Sequence, residues 1–173
     1  RAISPFGKVP AFSDGDFSLC DSSAIVQYLE ARHPAPALIP SDPQSRGKVI
    51  WFEEFADTIL SQPVGKIFFN RIVAKMLGRP ANPAAADEAQ AHELPAILNW
   101  LETQIPQSNF LVGNGLTLAD IAVGTMIVNL GHTGTAPDAT RYPRLAAYCE
   151  SILARPSFAS LIAGESRVLA RAG

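Results

Sequence analysis

Asp21 and Ser22 stand directly in front of an apolar stripe with helical spacing: Ile25, Tyr28, Leu29 and Arg32 fall at i, i+3, i+4 and i+7. A helix start presents free N–H groups and the positive end of the helix dipole, so it holds a carboxylate. A side-chain carboxylate beside it holds an ammonium. Together the pair could grip the head group of an α-amino acid, with the ammonium on Asp21 and the carboxylate on Ser22. The same residue types also serve as a plain helix cap with no ligand, so types and spacing leave both roles open. Val9-Pro10 precedes a strand pattern. A strand edge ending there leaves the Val9 N–H and carbonyl free to pair with an extended peptide, and a cis Pro10 would turn that edge toward it. An ordinary strand-entry proline explains Pro10 as well. Lys8 could take a second carboxylate. The ligand implied is a short peptide with a free amino-acid end and another acidic end.

The elements that must position these residues come next. Residues 9–19 read as a β-hairpin, with Asp14-Gly15 as its tight turn and Phe17 and Leu19 alternating with Ser18. The helix that follows opens at Asp21, Ser22 and Ser23, and Pro34 lies just past its end. HPAPALIPSDP then carries four prolines, a stiff linker and a domain boundary. Everything after it reads as helical. Asp42-Pro43 supplies an N-cap and a first-turn proline. Phe52, Phe55, Ala56, Ile59 and Leu60 form one stripe. Pro63 should kink this helix, after which Val64, Ile67, Phe68 and Ile72 resume the stripe. Residues 78–86 read as a loop, and Leu94, Ile97, Leu98 and Leu101 as a helix in which Pro95 is awkward. Residues 117–130 contain one charge, Asp120, so this helix belongs in the middle of a bundle. Thr117 and Asp120 form a capping box there, with Leu116 and Ile121 as a hydrophobic staple. Tyr142-Pro143 opens a helix carrying Leu145, Tyr148, Cys149, Ile152 and Leu153. Arg155-Pro156 breaks it, and Phe158, Leu161 and Ile162 start a short last helix.

Composition narrows the function classes. Of 173 residues, 47% are hydrophobic and 17% charged, which excludes a disordered chain. The net charge of −2 recommends neither nucleic acid nor anionic lipid as a partner. No apolar run approaches the roughly 18–20 residues of a membrane span. Cys20 and Cys149 are far apart and His33, His92 and His132 are scattered, so no metal is expected and a reducing, cytoplasmic setting is. The chain begins with Arg1, and residues 1–8 lack the apolar stretch of a signal peptide. Cys20, near a helix start, could be a nucleophile; a small buried hydrophobe at a strand end is the plainer role. Cys149 reads as core, and His132 as a C-terminal cap after a helix ending at Gly131. Trp51, Trp100, Phe68 and Phe69 could line an acceptor pocket but read first as core. Asp57 could reach a partner subunit's ligand, or could be an ordinary solvated charge.

The ordered set Val9-Pro10, Asp14-Gly15, Asp21-Ser22, Tyr28-Leu29 and His33-Pro34 resembles the second half of the thioredoxin-like domain of glutathione transferases. GNGLTLADIAVG resembles the capping segment of that family's central helix, and Arg155-Pro156-Ser157-Phe158 its penultimate break. The phi- and theta-like bacterial types are nearest. The resemblance implies an α/β plus all-α fold: residues 1–34 as a partial thioredoxin-like glutathione-binding domain, 35–42 as a Pro-rich linker, and 43–173 as an all-α domain. It implies Lys8 on the glycyl carboxylate of glutathione, the Val9 backbone on its cysteinyl residue, a cis Pro10, and Asp21 and Ser22 on its γ-glutamyl end. Asp21 stands where Glu is commoner, and Cys20 where an apolar residue is usual. The family's first strand, first helix and second strand, which carry the Tyr, Ser or Cys that activates the thiol, are expected upstream of residue 1. The implied function is conjugation of glutathione thiolate to an electrophilic hydrophobic substrate, by a cytoplasmic homodimer that detoxifies without a metal. A non-catalytic interaction module, or a glutathione-dependent reductase, isomerase or dehalogenase, are the alternatives on the same fold.

Overall fold

The computed structural model describes residues 3–172. Strands β1 (Ala11–Asp14) and β2 (Phe17–Cys20) pair antiparallel, with Ala11 opposite Cys20 and Asp14 opposite Phe17. Gly15 takes the first loop position at φ 59°, a value glycine adopts without a Cβ clash. Asp14 is the end of β1 rather than part of the loop, and it holds helix α1 (Ser22–Arg32) onto the hairpin. The Tyr28 hydroxyl donates to Asp14 Oδ2 at 2.7 Å, and Arg32 Nε lies 3.1 Å from the same oxygen. The Phe17 ring stacks on Tyr28 at 4.8 Å. Phe17 is nevertheless 45% exposed, more than its alternation predicts.

The proline-rich segment is tied down at both sides. Glu30 Oε1 accepts the N–H groups of Leu38 and Ile39, each at 2.9 Å. The Leu38 carbonyl accepts the Leu118 N–H at 2.9 Å, and Ile39 is buried in the helical core. The Val9–Pro10 peptide is cis, as the resemblance implies, and Ala35–Pro36 is cis as well.

Helix α2 (Pro43–Phe55) starts as read, with Asp42 accepting the Ser45 N–H at 2.9 Å and Pro43 in the first turn. It runs through a π-helical turn (Ala56–Leu60), α3 (Ser61–Phe68), a second π-helical turn (Phe69–Val73) and α4 (Ala74–Met76). The π turn before Pro63 absorbs the missing amide hydrogen bond and clash that would otherwise break a helix there. Its extra residue also rotates the stripe, so Ile59, expected inside, is 47% exposed while Leu60 is fully buried. The loop expected over 78–86 is shorter: Asn82 accepts the Ala85 N–H at 3.1 Å and Pro83 opens α5 (Pro83–Glu88). A third π turn (Ala89–Glu93) leads into α6 (Leu94–Gln104), where Pro95 sits in the first turn and needs no amide partner.

Helix α7 (Leu118–His132) lies between α2, α3 and α8 (Pro143–Leu153), as its apolar composition predicts. Val49, Leu60, Ile67, Leu101, Val123, Leu145 and Ile152 have almost no solvent exposure around it. Full burial of each such side chain contributes about 1.5–3 kcal/mol. Gly124 is a point of close approach, because a Cβ there would stand 3.0 Å from the Phe158 ring. Two sequence expectations fail at the C-terminal end. The last helix, α9 (Pro156–Ala172), has 17 residues and is not short. It continues because residues 156–172 contain no proline after the first and keep an amphipathic pattern. His132 is the last residue of α7 rather than a cap, and its Nε2 lies 2.9 Å from Glu165 on α9. The helix ends instead on Thr133.

Candidate functional site

The hairpin register brings the predicted site residues together. With Ala11 opposite Cys20, the next positions outward are Pro10 and Asp21, so Val9-Pro10 and Asp21-Ser22 meet at one end of the sheet. Val9 is 89% exposed, which leaves its backbone open to an incoming strand. Lys8 and Pro10 are exposed beside it.

Asp21 caps α1 by accepting the Ala24 N–H at 3.1 Å. Its φ is 87°, in the left-handed region that a side chain ordinarily avoids. An aspartate held there costs on the order of 1–3 kcal/mol, and such residues cluster where a ligand is gripped. Asp21 is exposed, and Ser22, the first residue of α1, is half-buried. The Ser22 hydroxyl donates to Asp57 Oδ2 at 3.4 Å, so Asp57 stands beside Ser22 of its own chain. Ser23 donates its hydroxyl to Glu53 Oε1. Glu53 is buried on α2, and burial raises its pKa above the usual carboxylate value. The charges of Asp57, Glu54 and Asp21 push the same way, against the Ser23 hydrogen bond. Glu53 was missed from the sequence. Its position on the Phe52–Phe55 stretch marks a helix, but nothing local says that a carboxylate there faces another domain's helix start.

The remaining candidates fall elsewhere. Cys20 is half-buried at the end of β2. Cys149 is buried on α8 and burial pushes its thiol up to about 12. Trp51, Phe52, Phe55 and Trp100 form one aromatic cluster, in which Trp51 stacks on Phe55 and meets Trp100 edge-on with centroids 5.1 Å apart. Phe68 is half-buried and Phe69 is 36% exposed. A cavity of about 410 Å³ lies under α9, lined by Ile127, His132, Cys149, Leu153 and Ile162, and apart from the hairpin-end residues Lys8, Val9, Pro10, Asp21 and Ser22. Among the described residues no cluster of three or more His, Cys, Asp or Glu could hold a metal, and no helix is long and apolar enough to cross a membrane.

Two family models match the chain. Residues 1–37 match the N-terminal domain of glutathione S-transferases, and residues 68–164 match their C-terminal domain. The chain belongs to the glutathione S-transferase family. It is 31% identical over 159 residues to the glutathione S-transferase PARB of Nicotiana tabacum, covering 91% of this chain and 74% of the relative. Two solved structures are also similar. A glutathione S-transferase-I bound with lactoylglutathione superposes with a TM-score of 0.82 at 26% identity, covering 94% of this chain and 77% of that one. A glutathione S-transferase from Methylobacterium radiotolerans, in complex with glutathione sulfonate, gives a TM-score of 0.71 at 30% identity, covering 92% and 74%. The glutathione transferase fold is therefore a thioredoxin-like portion followed by an all-helical domain.

Proposed function

We propose that this glutathione transferase holds reduced glutathione as an added strand against Val9-Pro10, with its γ-glutamyl end at Asp21 and Ser22 and its glycyl carboxylate on Lys8. The observation that carries the reading is the left-handed Asp21, placed by the hairpin register opposite Pro10 at the start of an 11-residue helix. Asp21 pairs with the ligand ammonium, and Asp57 adds negative charge beside it. The Ser22 N–H takes the γ-glutamyl carboxylate, where the helix dipole assists, and the Ser22 hydroxyl turns from Asp57 to the same carboxylate on binding, which leaves the Ser23–Glu53 tie in place. The bound thiol, as thiolate, attacks an electrophilic, hydrophobic second substrate. No residue of the candidate site is assigned the activation of that thiol. Residues 1–34 form the glutathione-binding part, 35–42 the linker and 43–173 the helical domain.

A cytoplasmic homodimer acting in detoxification completes the proposal. The long helical run from α2 to α4 supports the pairing: Trp51, Ile59, Phe69 and Met76 keep a third or more of their surface exposed. Phe52 and Phe55 on the same run are core and add nothing to that surface. Light scattering at micromolar concentration should show two copies; a monomer would overturn the pairing.

The binding mode is tested with altered ligands. Glutathione lacking its γ-glutamyl ammonium should bind more weakly to the wild type, and Asp21→Ala should remove that discrimination. Glutathione amidated at its glycyl carboxylate should bind Lys8→Ala as well as glutathione does. Equal affinity of the wild type for all three peptides would sink the proposed mode.

A further inference from the structure

We infer that Glu53 is a positioning residue for glutathione: by accepting the Ser23 hydroxyl it fixes the first turn of α1 against α2, so that Asp21 and Ser22 face the γ-glutamyl end of the peptide. This rests on the proposal that the γ-glutamyl end lies at Asp21 and Ser22. The geometry is a double tie. Consecutive hydroxyls at the first two positions of α1, Ser22 and Ser23, donate to two carboxylates on the run that begins with α2, Asp57 and Glu53. Those carboxylates are four residues apart, about one turn, so both face the same helix start.

Glu53 stands out among the buried groups. It is 6% exposed on a helix whose neighbouring core positions are Val49, Phe52 and Phe55. An apolar side chain would avoid the desolvation that a buried carboxylate carries. Asp120, the other buried carboxylate among the described residues, closes a helix start within its own domain. Glu53 instead reaches across to the hairpin-side helix, where the candidate site is.

The charges around it give a second consequence. Asp21 at the α1 cap, Glu54 on its own helix and Asp57 on the π turn all face Glu53 with negative charge. The α2 cations Arg46 and Lys48 are exposed, with Arg46 directed to Gln27. On α1, Tyr28 and Arg32 are engaged by Asp14, and Glu30 by the linker. On α7, Asp120 is engaged by Thr117, Leu111 and Tyr148, and His132 by Glu165. The ammonium of a bound peptide would bring positive charge to this acidic group and favour ionised Glu53. Binding therefore releases a proton fraction, and affinity falls as pH drops through the range where Glu53 of the free protein takes up its proton.

The test is calorimetric titration of reduced glutathione into the full-length protein from pH 5 to 8. Ser23→Ala and Glu53→Ala should each weaken binding by roughly tenfold, the loss of about one hydrogen bond to a charged group, with stoichiometry unchanged. The double variant should be no weaker than Glu53→Ala, because both cut one link. Glu53→Gln, whose amide oxygen still accepts the hydroxyl, should restore binding near neutral pH and abolish the acid-side loss of affinity. A merely structural Glu53 would lower the stoichiometry and leave the dissociation constant of the folded fraction alone, which would overturn the proposal. If Glu53→Ala does not fold, Ser23→Ala decides. Asp21→Ala separates the two readings. Weakened binding there with wild-type affinity in Ser23→Ala defeats only the positioning role. Wild-type affinity in Asp21→Ala defeats the subsite, and the role of Glu53 with it.

Discussion

Helices α1 and α7 each begin with an aspartate and a hydroxyl residue, and they begin in opposite ways. At α7 the aspartate is inside and saturated. Asp120 has no solvent exposure, and its carboxylate accepts from the N–H groups of Leu111 and Thr117 and from the hydroxyls of Thr117 and Tyr148, at 2.8–3.1 Å. Burial and the adjacent Asp120 hold the Tyr148 hydroxyl protonated, well above its usual range. At α1 the aspartate is outside and strained. Asp21 spends one oxygen on the Ala24 N–H and is otherwise exposed, at a φ that glycine would prefer. A fully satisfied buried carboxylate stabilises a fold and can do little else. An exposed one, held at conformational cost on a helix start, still has capacity for a ligand.

Breaking the saturated end should have the largest effect. Asp120→Ala leaves four donors unpartnered in the core and should cost about 3–5 kcal/mol. At 2–4 °C per kcal/mol for a chain of this size, the melting midpoint should fall by roughly 6–20 °C. A drop smaller than the error of a thermal melt would show that the network does not form. Asp21→Ala should do the reverse: glutathione affinity weaker by roughly 10- to 150-fold, with about 1 kcal/mol or less of stability lost. Asp21→Gly sharpens the contrast, since glycine takes the left-handed φ freely. It should be more stable than Asp21→Ala by about 1 kcal/mol and bind no better.

A smaller effect is expected from Glu53, which stands behind the α1 start. Its pKa is raised in the folded protein, chiefly by burial, so the folded state holds this proton more tightly than the unfolded chain does. Stability from this group is full below the ordinary carboxylate range and declines as pH rises toward the raised value. Glu53→Gln should therefore be the more stable protein at neutral pH, with the advantage vanishing near pH 4; denaturant melts at the two pH values check the sign. The smallest perturbation is chemical labelling, because each helix start has a cysteine for a neighbour. Cys20 precedes Asp21 and is half-buried, whereas Cys149 follows Tyr148 in the core with its thiol pushed up to about 12. An alkylating reagent at pH 8 should modify Cys20 alone. Bound glutathione should slow it, and Asp120→Ala should expose Cys149.

Much of this was legible in the residues. The hairpin, α1, the α2 and α8 starts and the Thr117–Asp120 pair follow from turn dipeptides, N-caps, first-turn prolines and apolar spacing, all of which act locally. What sequence could not supply was phase and partnership. Ile59 fits the template that predicts Phe52 and Leu60, but the π turn inserts a residue and rotates Ile59 out. Asn82-Pro83 carried the start of α5 and was outweighed by the surrounding glycine and prolines. The α8 start has a remote cap that no local pattern reveals: Glu102 on α6 accepts the Arg144 and Leu145 N–H groups at 3.0 and 2.7 Å. Glu53 is the same kind of omission at the candidate site. Its helix was read, but the Ser23 it meets lies 30 residues earlier.

The proline-rich segment has a mechanical consequence. Its four prolines stiffen it, and it is also held at both sides: Glu30 clamps Leu38 and Ile39 from one side, and the Leu38 carbonyl accepts the first amide of α7 from the other. Rotating the hairpin and α1 against the helical bundle would have to tear that splice. The two parts therefore lack an independent degree of freedom at their junction and should relay displacement rather than absorb it. A ligand pulling on α1 would load α7 through a strut of only a few peptide units.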